Sequence, residues 1–600
     1  MKYMKSKLED MTKILVRTAL GKDKADLVIK DGNLVNVHTG EILWNVDVAV
    51  KKDRIAFVGN ADHTIGSKTR VVKATGQYLA PGFLDAHVHI DDSMLTVTEF
   101  ARLTVPRGTT GVFLDPHEIA NVIGLEGARL MLDESKGCPM KVFLALPSCI
   151  PSAPGFETAG AEIDAEELKK ALKWDETVAL AEMMDIHGVL SCNDKIHSEI
   201  QATLRAGKVV EGHTMGLMGM NFTAYVAAGM TSSHEILSRE ICLERARMGN
   251  YTFISPLGEF TKTAFEAITL DRIETRHLSL ITDDRNAISL CESGHMDYNV
   301  KCAVQSGVDP ITAIQMATLN TAEHYNVDVD VGSISPSKCA DIVILSDLEK
   351  VKVDKVIAYG ELVADNGKLL VDLKAPEYPK WSKNTMHLKK KLEPEDFVIK
   401  AKVKEGSVKV NVIQFFNFAN NLSVRELSVK NWAVLPMVER GILKVAIVER
   451  HKYSGNIGKA FGELPGLITS GAVASSVSHD SHNITVVGTN DTDMATAVNV
   501  LADVGGGSVA VKNGKVRGLI ELPIAGIMSN ERAEVVIKKG KHLEQAWMEL
   551  GHKPLSSAIF PEAFLNIIFL AIPFGQEVFV TDKGLVDARK MPYRFIDVFA

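Results

Sequence analysis

Eight short apolar runs in the middle of the chain constrain its fold more than any other feature. They lie between about residues 80 and 335, alternate with amphipathic segments, and read GFLDAHVH, TTGVFLD, KVFLALP, TVALAEMM, KVVEGH, AAGMTSSH, NYTFISP and LSLITDD. Apolar strands that alternate with amphipathic helices are typical of parallel β/α units, and eight such units close into a barrel. The sequence therefore predicts an α/β protein built on a (β/α)8 barrel of the TIM type.

Strand-rich segments lie on both sides of this predicted barrel. Residues 24–75 contain short alternating runs separated by Asp-Gly, Lys-Asp and Gly-Asn turns, and a similar texture returns at 340–370. We expect residues 1–79 and 336–375 to supply the two halves of one small β-sandwich around a barrel of residues 80–335. After a Pro- and Lys-rich link the composition changes, and residues 390–600 are predicted to form a separate α+β domain.

Length, charge and apolar patterning exclude several classes of function. The chain has 600 residues, too many for one core, and its net charge of −8 comes from interspersed residues without the basic stripe that binds nucleic acid. The apolar stretch at 563–574 is too short to span a membrane. The first residues lack the apolar core of a signal peptide, and the seven cysteines contain no CxxC pair. We expect a cytoplasmic protein with neither a nucleic-acid nor a membrane partner.

The first apolar run ends in two histidines separated by one residue. Alternate side chains on a strand point to the same face, so His87 and His89 can aim two imidazoles at one metal ion. A single His-x-His also arises by chance. In a barrel, however, the C-terminal ends of all strands meet on one face, and the later runs also end in polar residues. These residues are Asp115, Ser148, Glu182, His213, His234 and Asp283.

This set exceeds the ligands of one closed tetrahedral zinc site. It suits two divalent ions about 3.5–4 Å apart that share a bridging carboxylate and activate water at neutral pH. We predict that Glu182 bridges the two ions, and that Asp283 completes the first site and accepts the proton of the attacking hydroxide. Ligation by imidazole and carboxylate without thiolate is compatible with manganese, iron or zinc. Of the remaining predicted ligands, His87 and His89 are expected to bind the first ion. His213 and His234 are expected to bind the second.

Each predicted ligand also has an ordinary structural interpretation. A single buried histidine is more often a satisfied polar residue than a ligand. Glu182 lies in AEMM, which is good helix sequence, and Asp283 with Asp284 could cap the helix predicted near Ala287. The regular placement of the whole set at the ends of the runs favours a metal site.

The second run continues into Asp115-Pro116-His117-Glu118, which has two interpretations. It makes a good helix start, with Asp115 as the N-cap, Pro116 at the first helical position and Glu118 at the third. It also brings an imidazole and two carboxyl groups to the predicted metal face, and we favour this functional role.

A second polar cluster, residues 479–483 (HDSHN), precedes the apolar strand ITVVG in the C-terminal part. It could be a turn, a lid over the barrel mouth or an independent metal site, and the sequence leaves these three alternatives open.

The chain resembles the adenine deaminase family of the metal-dependent amidohydrolase superfamily over nearly its whole length. The stretches that carry the resemblance include PGFLDAHVHIDDSML, PRGTTGVFLDPHEIANVIG, AEMMDIHGV, EGHTMGL, LITDDR and HDSHNITVVGTNDTDM. The resemblance implies hydrolysis of a purine base, adenine, to hypoxanthine and ammonia, with a place in purine salvage. It also implies two divalent ions, with manganese or iron favoured over zinc, and a cytoplasmic homo-oligomer, expected to be a dimer.

The resemblance also implies roles for individual residues. The six predicted ligands match those of the family, with Glu182 in the place that many relatives fill with a carboxylated lysine. Asp283, Glu118 and His117 are the expected catalytic residues. Asp115, Ser148 and Asp284 are expected to contact the substrate.

The chain departs from the family pattern at residues 91–92, 214–215 and 255–258. We expect these departures to line the pocket without touching the metal ligands, so they leave the exact substrate open. An N6-substituted adenine or another aminopurine is the first alternative. A cyclic amidohydrolase is less favoured, because it would carry lysine in place of Glu182, and a non-catalytic barrel would lack ligands that this chain has.

Overall fold

The computed structural model describes residues 6–234, 238–256, 260–416, 419–553, 563–590 and 592–600. The chain begins with an amphipathic helix that is followed by alternating, half-buried strands. These elements are α1 (Leu8–Ala19), β1 (Leu27–Asn36), β2 (Glu41–Lys51), β3 (Arg54–Gly59), β4 (Arg70–Lys73) and β5 (Tyr78–Pro81).

Each of the eight predicted apolar runs contains a strand. The strands are parallel and form one sheet of five, β6 to β10, and one of three, β11 to β13. They are β6 (Phe83–Val88), β7 (Thr109–Leu114), β8 (Lys141–Leu146), β9 (Thr177–Met183), β10 (Val209–Gly212), β11 (Ser232–Ser233), β12 (Tyr251–Ile254) and β13 (Leu278–Leu280).

Helices separate these strands and follow the last of them. Several begin at the side chains expected of an N-cap; Asp164 and Glu167, for example, form a capping box at α5. The helices are α2 (Val97–Thr104), α3 (His117–Ile123), α4 (Leu125–Ser135), α5 (Ala165–Ala171), α6 (Ile186–Leu190), α7 (Asp194–Arg205), α8 (Gly219–Ala227), α9 (Arg239–Arg247), α10 (Phe260–Thr269), α11 (Ala287–Glu292), α12 (Met296–Gln305), α13 (Pro310–Met316) and α14 (Leu319–His324).

The eight parallel strands do not form one closed sheet among the described residues, so the predicted continuous barrel is not observed. At one seam the Thr231 N–H donates to the carbonyl of Val210 at 2.9 Å; at the other, the Asp283 N–H donates to the carbonyl of His87 at 3.1 Å. The reason is local, since β11 has two residues and β13 three. Much of the sixth predicted run, AAGMTSSH, instead completes α8 and its C-terminal turn. The α/β class and the strand order are confirmed.

Strands from both flanks of this region pair in a single nine-stranded sheet. Its order is β17-β16-β15-β14-β5-β1-β2-β3, with β4 beside β1. Strand β5 runs parallel to β1 and antiparallel to β14, and so joins the two flanks directly before the chain enters β6. The later strands are β14 (Ile342–Asp347), β15 (Lys352–Ala358), β16 (Glu361–Asp365) and β17 (Lys368–Leu369).

The C-terminal part contains a second nine-stranded sheet and a small three-stranded one. The larger sheet has the order β20-β19-β18-β22-β21-β24-β23-β25-β26, and residues 476–483 form the loop between β23 and β24. The elements are β18 (Glu405–Phe416), β19 (Ala419–Lys430), β20 (Ala433–Val434), β21 (Ile442–Val448), β22 (Ile457–Glu463), β23 (Ala472–Ser475), β24 (Ile484–Gly488), α15 (Asp491–Val504), β25 (Gly507–Lys512), β26 (Lys515–Glu521), α16 (Ala533–Glu549), β27 (Val578–Thr581), β28 (Gly584–Asp587) and β29 (Arg594–Ile596). Short 3₁₀ turns lie at Asp62–Thr64, Val105–Arg107, Lys380–Lys383, Pro394–Phe397, Val438–Arg440 and Ala563–Leu570.

The C-terminal part packs directly on the helices around the parallel strands. One buried apolar cluster contains Phe100 of α2 and Leu132 of α4 together with Ile524 and Trp547 of the C-terminal part. Burial on this scale removes apolar surface of both parts from water and fixes their relative position. No helix among the described residues is long and apolar enough to cross a membrane.

A buried ion pair links the parallel strands to the first nine-stranded sheet, and its loss should destabilise the protein. The Lys141 Nζ lies 2.6 Å from Oδ2 of Asp341 and 3.5 Å from the centre of the Tyr359 ring. We expect Lys141→Met to lower the free energy of unfolding by about 3–5 kcal/mol, because the Asp341 carboxylate stays buried without its cation. Urea denaturation followed by circular dichroism measures the effect, with Lys136→Met on the surface as control. Equal midpoints for the two variants would contradict it.

Candidate metal centre

His87 and His89 lie at the C-terminal end of β6 and point to the same side, as strand alternation predicts. Their Nε2 atoms are 3.0 Å apart. The Nδ1 of His87 donates to Oε2 of Glu211 at 3.1 Å, and the Nδ1 of His89 donates to the backbone carbonyl of Asp115 at 3.0 Å. The Nε2 atoms of both rings therefore face the same space and can bind a metal ion when they carry no proton. Burial, followed by the charges of His234 and His89, lowers the pKa of His87 to about 4, which favours the neutral imidazole that a metal requires.

Glu182 lies at the end of strand β9, so its alternative interpretation as a helix residue is wrong. Its Oε1 is 3.4 Å from Nε2 of His89, and its Oε2 is 3.0 Å from Nε2 of His234. The Nδ1 of His213 also pairs with Oε2. One carboxylate thus contacts imidazoles from the first, fifth and sixth parallel strands, which is the position that a bridging ligand needs.

Asp283 follows β13 and faces the same space from the opposite side. Its Oδ1 is 3.5 Å from Nε2 of His89, and its Oδ2 is 3.9 Å from Nε2 of His234. Burial opposes ionisation of Asp283, but the hydrogen bond from His89 and the charge of His234 lower its pKa. It does not cap the following helix, because the N-cap of α11 is Asn286. The backbone of Asp283 has φ 58°, a left-handed conformation that is strained for a residue with a side chain.

The six predicted ligands therefore converge; we call them the carboxylate–histidine cluster. Their ligand atoms form overlapping groups whose members lie within 4.8 Å of one another. The Nε2 atoms of His87 and His89, 3.0 Å apart, require a proton or a metal ion between them, and the carboxylates of Glu182, which is buried, and Asp283, which is partly exposed, need positive charge. A divalent metal meets both requirements, so the donor set fits a metal centre.

Residues that the sequence did not single out orient these ligands from behind. Glu211 holds the ring of His87. Asp85 accepts a hydrogen bond at 3.0 Å from the N–H of Thr282, the residue before Asp283, and its other carboxylate oxygen lies 3.0 Å from Nε2 of His295. The sequence does indicate both acids. Asp85 lies two residues before His87, and Glu211 lies two residues before His213, so each acid shares a strand face with a predicted ligand. A carboxylate placed as Glu211 is fixes the orientation of the ligand ring and raises its basicity, whereas Asp85 acts on the backbone next to Asp283.

The Asp115-Pro116-His117-Glu118 segment lies beside the cluster, and its helix-cap interpretation is wrong. Helix α3 begins at His117 with Pro116 as N-cap, and Asp115 gives no side-chain cap. The Oδ2 of Asp115 instead accepts from Nδ1 of His117 at 3.0 Å. The first turn of α3 is held by Asp91, whose Oδ2 accepts from the Ile119 N–H at 2.8 Å.

The 479–483 segment lies against the same face and clamps Glu118. The Nδ1 of His479 is 2.7 Å from Oε1 of Glu118, Nε2 of His117 is 2.9 Å from the same oxygen, and Nε2 of His482 pairs with Oε2. Burial opposes ionisation of Glu118, but the charges of His479, His117 and His482 lower its pKa well below the ordinary value. Burial raises the pKa of the neighbouring Asp480 to about 6. Of the three alternatives for this segment, these contacts favour the lid.

Ser148 and Asp284 lie near the cluster, and their substrate contacts stay predictions. The hydroxyl of Ser148 donates to the backbone carbonyl of Glu182 at 2.6 Å, which ties the ends of β8 and β9 together. A carboxylate oxygen of Asp284 lies within 4.8 Å of a ring nitrogen of His89, and burial, followed by the charge of Asp92, raises the pKa of Asp284 well above its ordinary value.

The departures from the family pattern are not all in the pocket lining. The hydroxyl of Thr214 accepts a hydrogen bond from the buried guanidinium of Arg245. The Sδ of Met215 lies 2.9 Å from Nε2 of His213, so the expectation that these residues avoid the ligands is wrong there. Residues 257–258 lie outside the described part of the chain.

The orienting role of Glu211 predicts a loss of metal affinity on its removal. We expect Glu211→Gln to weaken divalent metal binding by about 10- to 100-fold, because a neutral amide that can present either its oxygen or its NH2 replaces the carboxylate that orients His87 and raises its basicity. Competition against a chromogenic chelator measures this affinity. Glu199→Gln is the matched control, since Glu199 is a buried carboxylate on α7 that faces none of the predicted ligands. Equal affinity in the two variants would contradict the role.

Comparison with known proteins identifies the family of the chain. Residues 78–249 and 262–363 match the family model described as "Amidohydrolase family", and residues 418–592 match "Adenine deaminase C-terminal domain". The chain is 43% identical to an adenine deaminase of Moorella thermoacetica over 98% of both chains. It is 41% identical to one of Clostridium botulinum over 100% of this chain and 99% of the relative. It is 42% identical to one of Mesorhizobium japonicum over 98% of this chain and 97% of the relative.

Both matched regions and the full-length relatives point to the same group of metal-dependent hydrolases. The chain belongs to the adenine deaminase family of the amidohydrolase superfamily.

Proposed function

We propose that this protein hydrolyses adenine to hypoxanthine and ammonia. The observation that carries the proposal is the contact of one buried carboxylate, Glu182, with imidazoles from three parallel strands in a chain of this family. The reaction is a nucleophilic substitution at C6 of the purine: water adds, the amino group leaves, and the ring nitrogens must gain and lose protons.

The cluster would hold two divalent ions. Glu182 would be shared by both ions, Asp283 would complete the first site, and His213 would offer Nδ1, the nitrogen that faces Glu182. His87 and His89 would hold the first ion through Nε2, and His234 would hold the second. Manganese or iron is the proposed metal, with zinc as the alternative.

Divalent ions at such a site lower the pKa of water and supply a nucleophile at neutral pH. Asp283 then accepts the proton of the attacking water, because its carboxylate faces the cluster and the charges around it keep it ionised. Its fixed left-handed backbone, bonded to the carbonyl of His87, holds that acceptor in place.

Glu118 would deliver a proton to the ring nitrogen next to C6. Its carboxylate stands between the imidazoles of His117 and His479, so a proton held on either ring can pass across it to the base. The Oδ2 of Asp115 fixes the other nitrogen of His117. Positioned acid–base groups contribute about 10²–10⁴-fold each, and stabilisation of the developing charge by preorganised groups supplies more.

Other expectations from the sequence belong to the same proposal. They are the place in purine salvage, the cytoplasmic location and the homodimer.

Ammonia release from a panel of bases tests the proposal. The metal-replete protein is incubated with adenine, N6-methyladenine, other aminopurines and dihydroorotate, and ammonia and hydrolysis products are measured. We expect ammonia from adenine. Turnover confined to N6-alkylated bases, or to the cyclic amide, would replace the proposed substrate with that compound.

The bridging role of Glu182 predicts a coupled loss of both ions. Glu182→Gln should reduce the metal content of the purified protein at both positions and abolish ammonia release, since one oxygen of the bridge becomes an amide nitrogen. Elemental analysis after dialysis against chelator gives the number of ions per chain, with Glu199→Gln as the control for loss of a buried carboxylate. Retention of two ions per chain would show that Glu182 does not bridge.

A further inference from the structure

Asp480 is a buried carboxylate beside the carboxylate–histidine cluster without a hydrogen-bond donor of its own. It is 1% exposed, and neither of its oxygens accepts a hydrogen bond from the residues that the structure describes. The Nδ1 of His479 is 3.8 Å from Oδ1. An unpaired buried carboxylate costs free energy unless a ligand supplies the donor.

The imidazoles near Asp480 are already engaged with other carboxylates. The nitrogens of His117 face Asp115 at 3.0 Å and Glu118 at 2.9 Å, and Nδ1 of His479 faces Glu118 at 2.7 Å. His117, His479 and Asp480 bring ligand atoms within 4.8 Å of one another, but a metal ion there would have to displace these pairs. An N–H donor needs only the oxygens of Asp480.

Asp480 and the reacting position share a neighbour, the ring of His117. The Nδ1 of His117 is 3.7 Å from Oε1 of Glu182, and a nitrogen of the same ring is within 4.8 Å of an Asp480 oxygen. In adenine the reacting C6 belongs to the six-membered ring, and N9–H lies at the far end of the five-membered ring. A base with C6 at Glu182 extends N9–H away from the cluster.

We propose, building on the proposed function, that Asp480 accepts the N9–H of the free purine base and thereby selects bases over nucleosides. A nucleoside carries its sugar at N9 and has no hydrogen to donate there. Its binding would leave the carboxylate buried and unpaired. Sites built around such a hydrogen bond strongly reject the analogue that lacks it.

Kinetics with two substrates of similar shape test this role. In oxazolo[5,4-d]pyrimidin-7-amine an oxygen replaces N9–H of adenine, and the nitrogen at the N7 position is kept. We expect the wild-type kcat/KM to be about 10- to 150-fold higher for adenine, as for one hydrogen bond to a charged group. Asp480→Ala should lower kcat/KM for adenine by that factor and change the value for the oxygen analogue less than about threefold. Asp480→Asn keeps an acceptor oxygen and should fall between wild type and Asp480→Ala.

Glu157→Gln is the matched control. Glu157 is also buried, but its Oε1 accepts from the Ser152 hydroxyl at 2.9 Å and the Ala153 N–H at 2.8 Å, so the variant should keep the wild-type preference. Metal content and thermal midpoint are measured for every variant. An equal loss for both substrates in Asp480→Ala overturns the proposal in favour of a structural role, and a fall in bound metal overturns it in favour of a cation site.

Binding of unsubstituted purine and of oxazolo[5,4-d]pyrimidine, measured by calorimetry, separates this proposal from the proposed reaction. If wild type releases no ammonia from adenine but prefers purine, and Asp480→Ala loses that preference, only the reaction is wrong. If wild type binds both compounds equally, the role of Asp480 is wrong whatever the reaction.

Discussion

The structure depends on the neutralisation of carboxylates and imidazole nitrogens that meet in the carboxylate–histidine cluster, from which water is excluded. The Nε2 atoms of His87 and His89 face each other at 3.0 Å, and the buried carboxylate of Glu182 lies 3.4 Å from one of them. Such an arrangement is costly unless cations compensate it. The fold tolerates the cost because every ligand sits at or just beyond the C-terminal end of a parallel strand, where the backbone fixes its direction and the remaining apolar strand surface is buried.

The sequence was sufficient to locate the parallel strands and the ligands because both signals are local. An apolar run that ends in a polar side chain predicts a strand and the place where its residue meets the others, and each of the eight runs contains a strand. The period of two along β6 and β10 carries further information: it places Asp85 and Glu211 on the faces of His87 and His213. These orienting acids could therefore have been found from the sequence.

Other features depend on packing between distant parts of the chain and leave no local signal. The parallel sheet is interrupted at β11 because α8 ends inside the sixth apolar run and leaves only two residues for the strand. The apolar character of the run gives no sign of this helix end. Asp115 has the sequence of a helix cap, but the buried imidazole of His117 competes for its carboxylate. The pair between Glu118 and His482 joins residues 364 positions apart. The predicted domain limits and substrate contacts also depend on how distant parts of the chain pack, and they stay predictions.

The contacts of Glu118 explain why a site on the parallel strands needs the C-terminal part at all. Glu118 is 1% exposed, and two of the three imidazoles on its carboxylate come from the loop between β23 and β24. Without that loop, the carboxylate would face water, and its interaction with His117 would weaken as the local dielectric rose. The loop is anchored on both sides: the N–H of Ser476 bonds to the carbonyl of Gly507 in the second nine-stranded sheet at 2.9 Å, and Asn483 donates to the carbonyl of Thr158, between β8 and α5, at 2.8 Å. The C-terminal part is therefore a structural component of the site, because it supplies the charges and the exclusion of water that the acid–base groups on the parallel strands require.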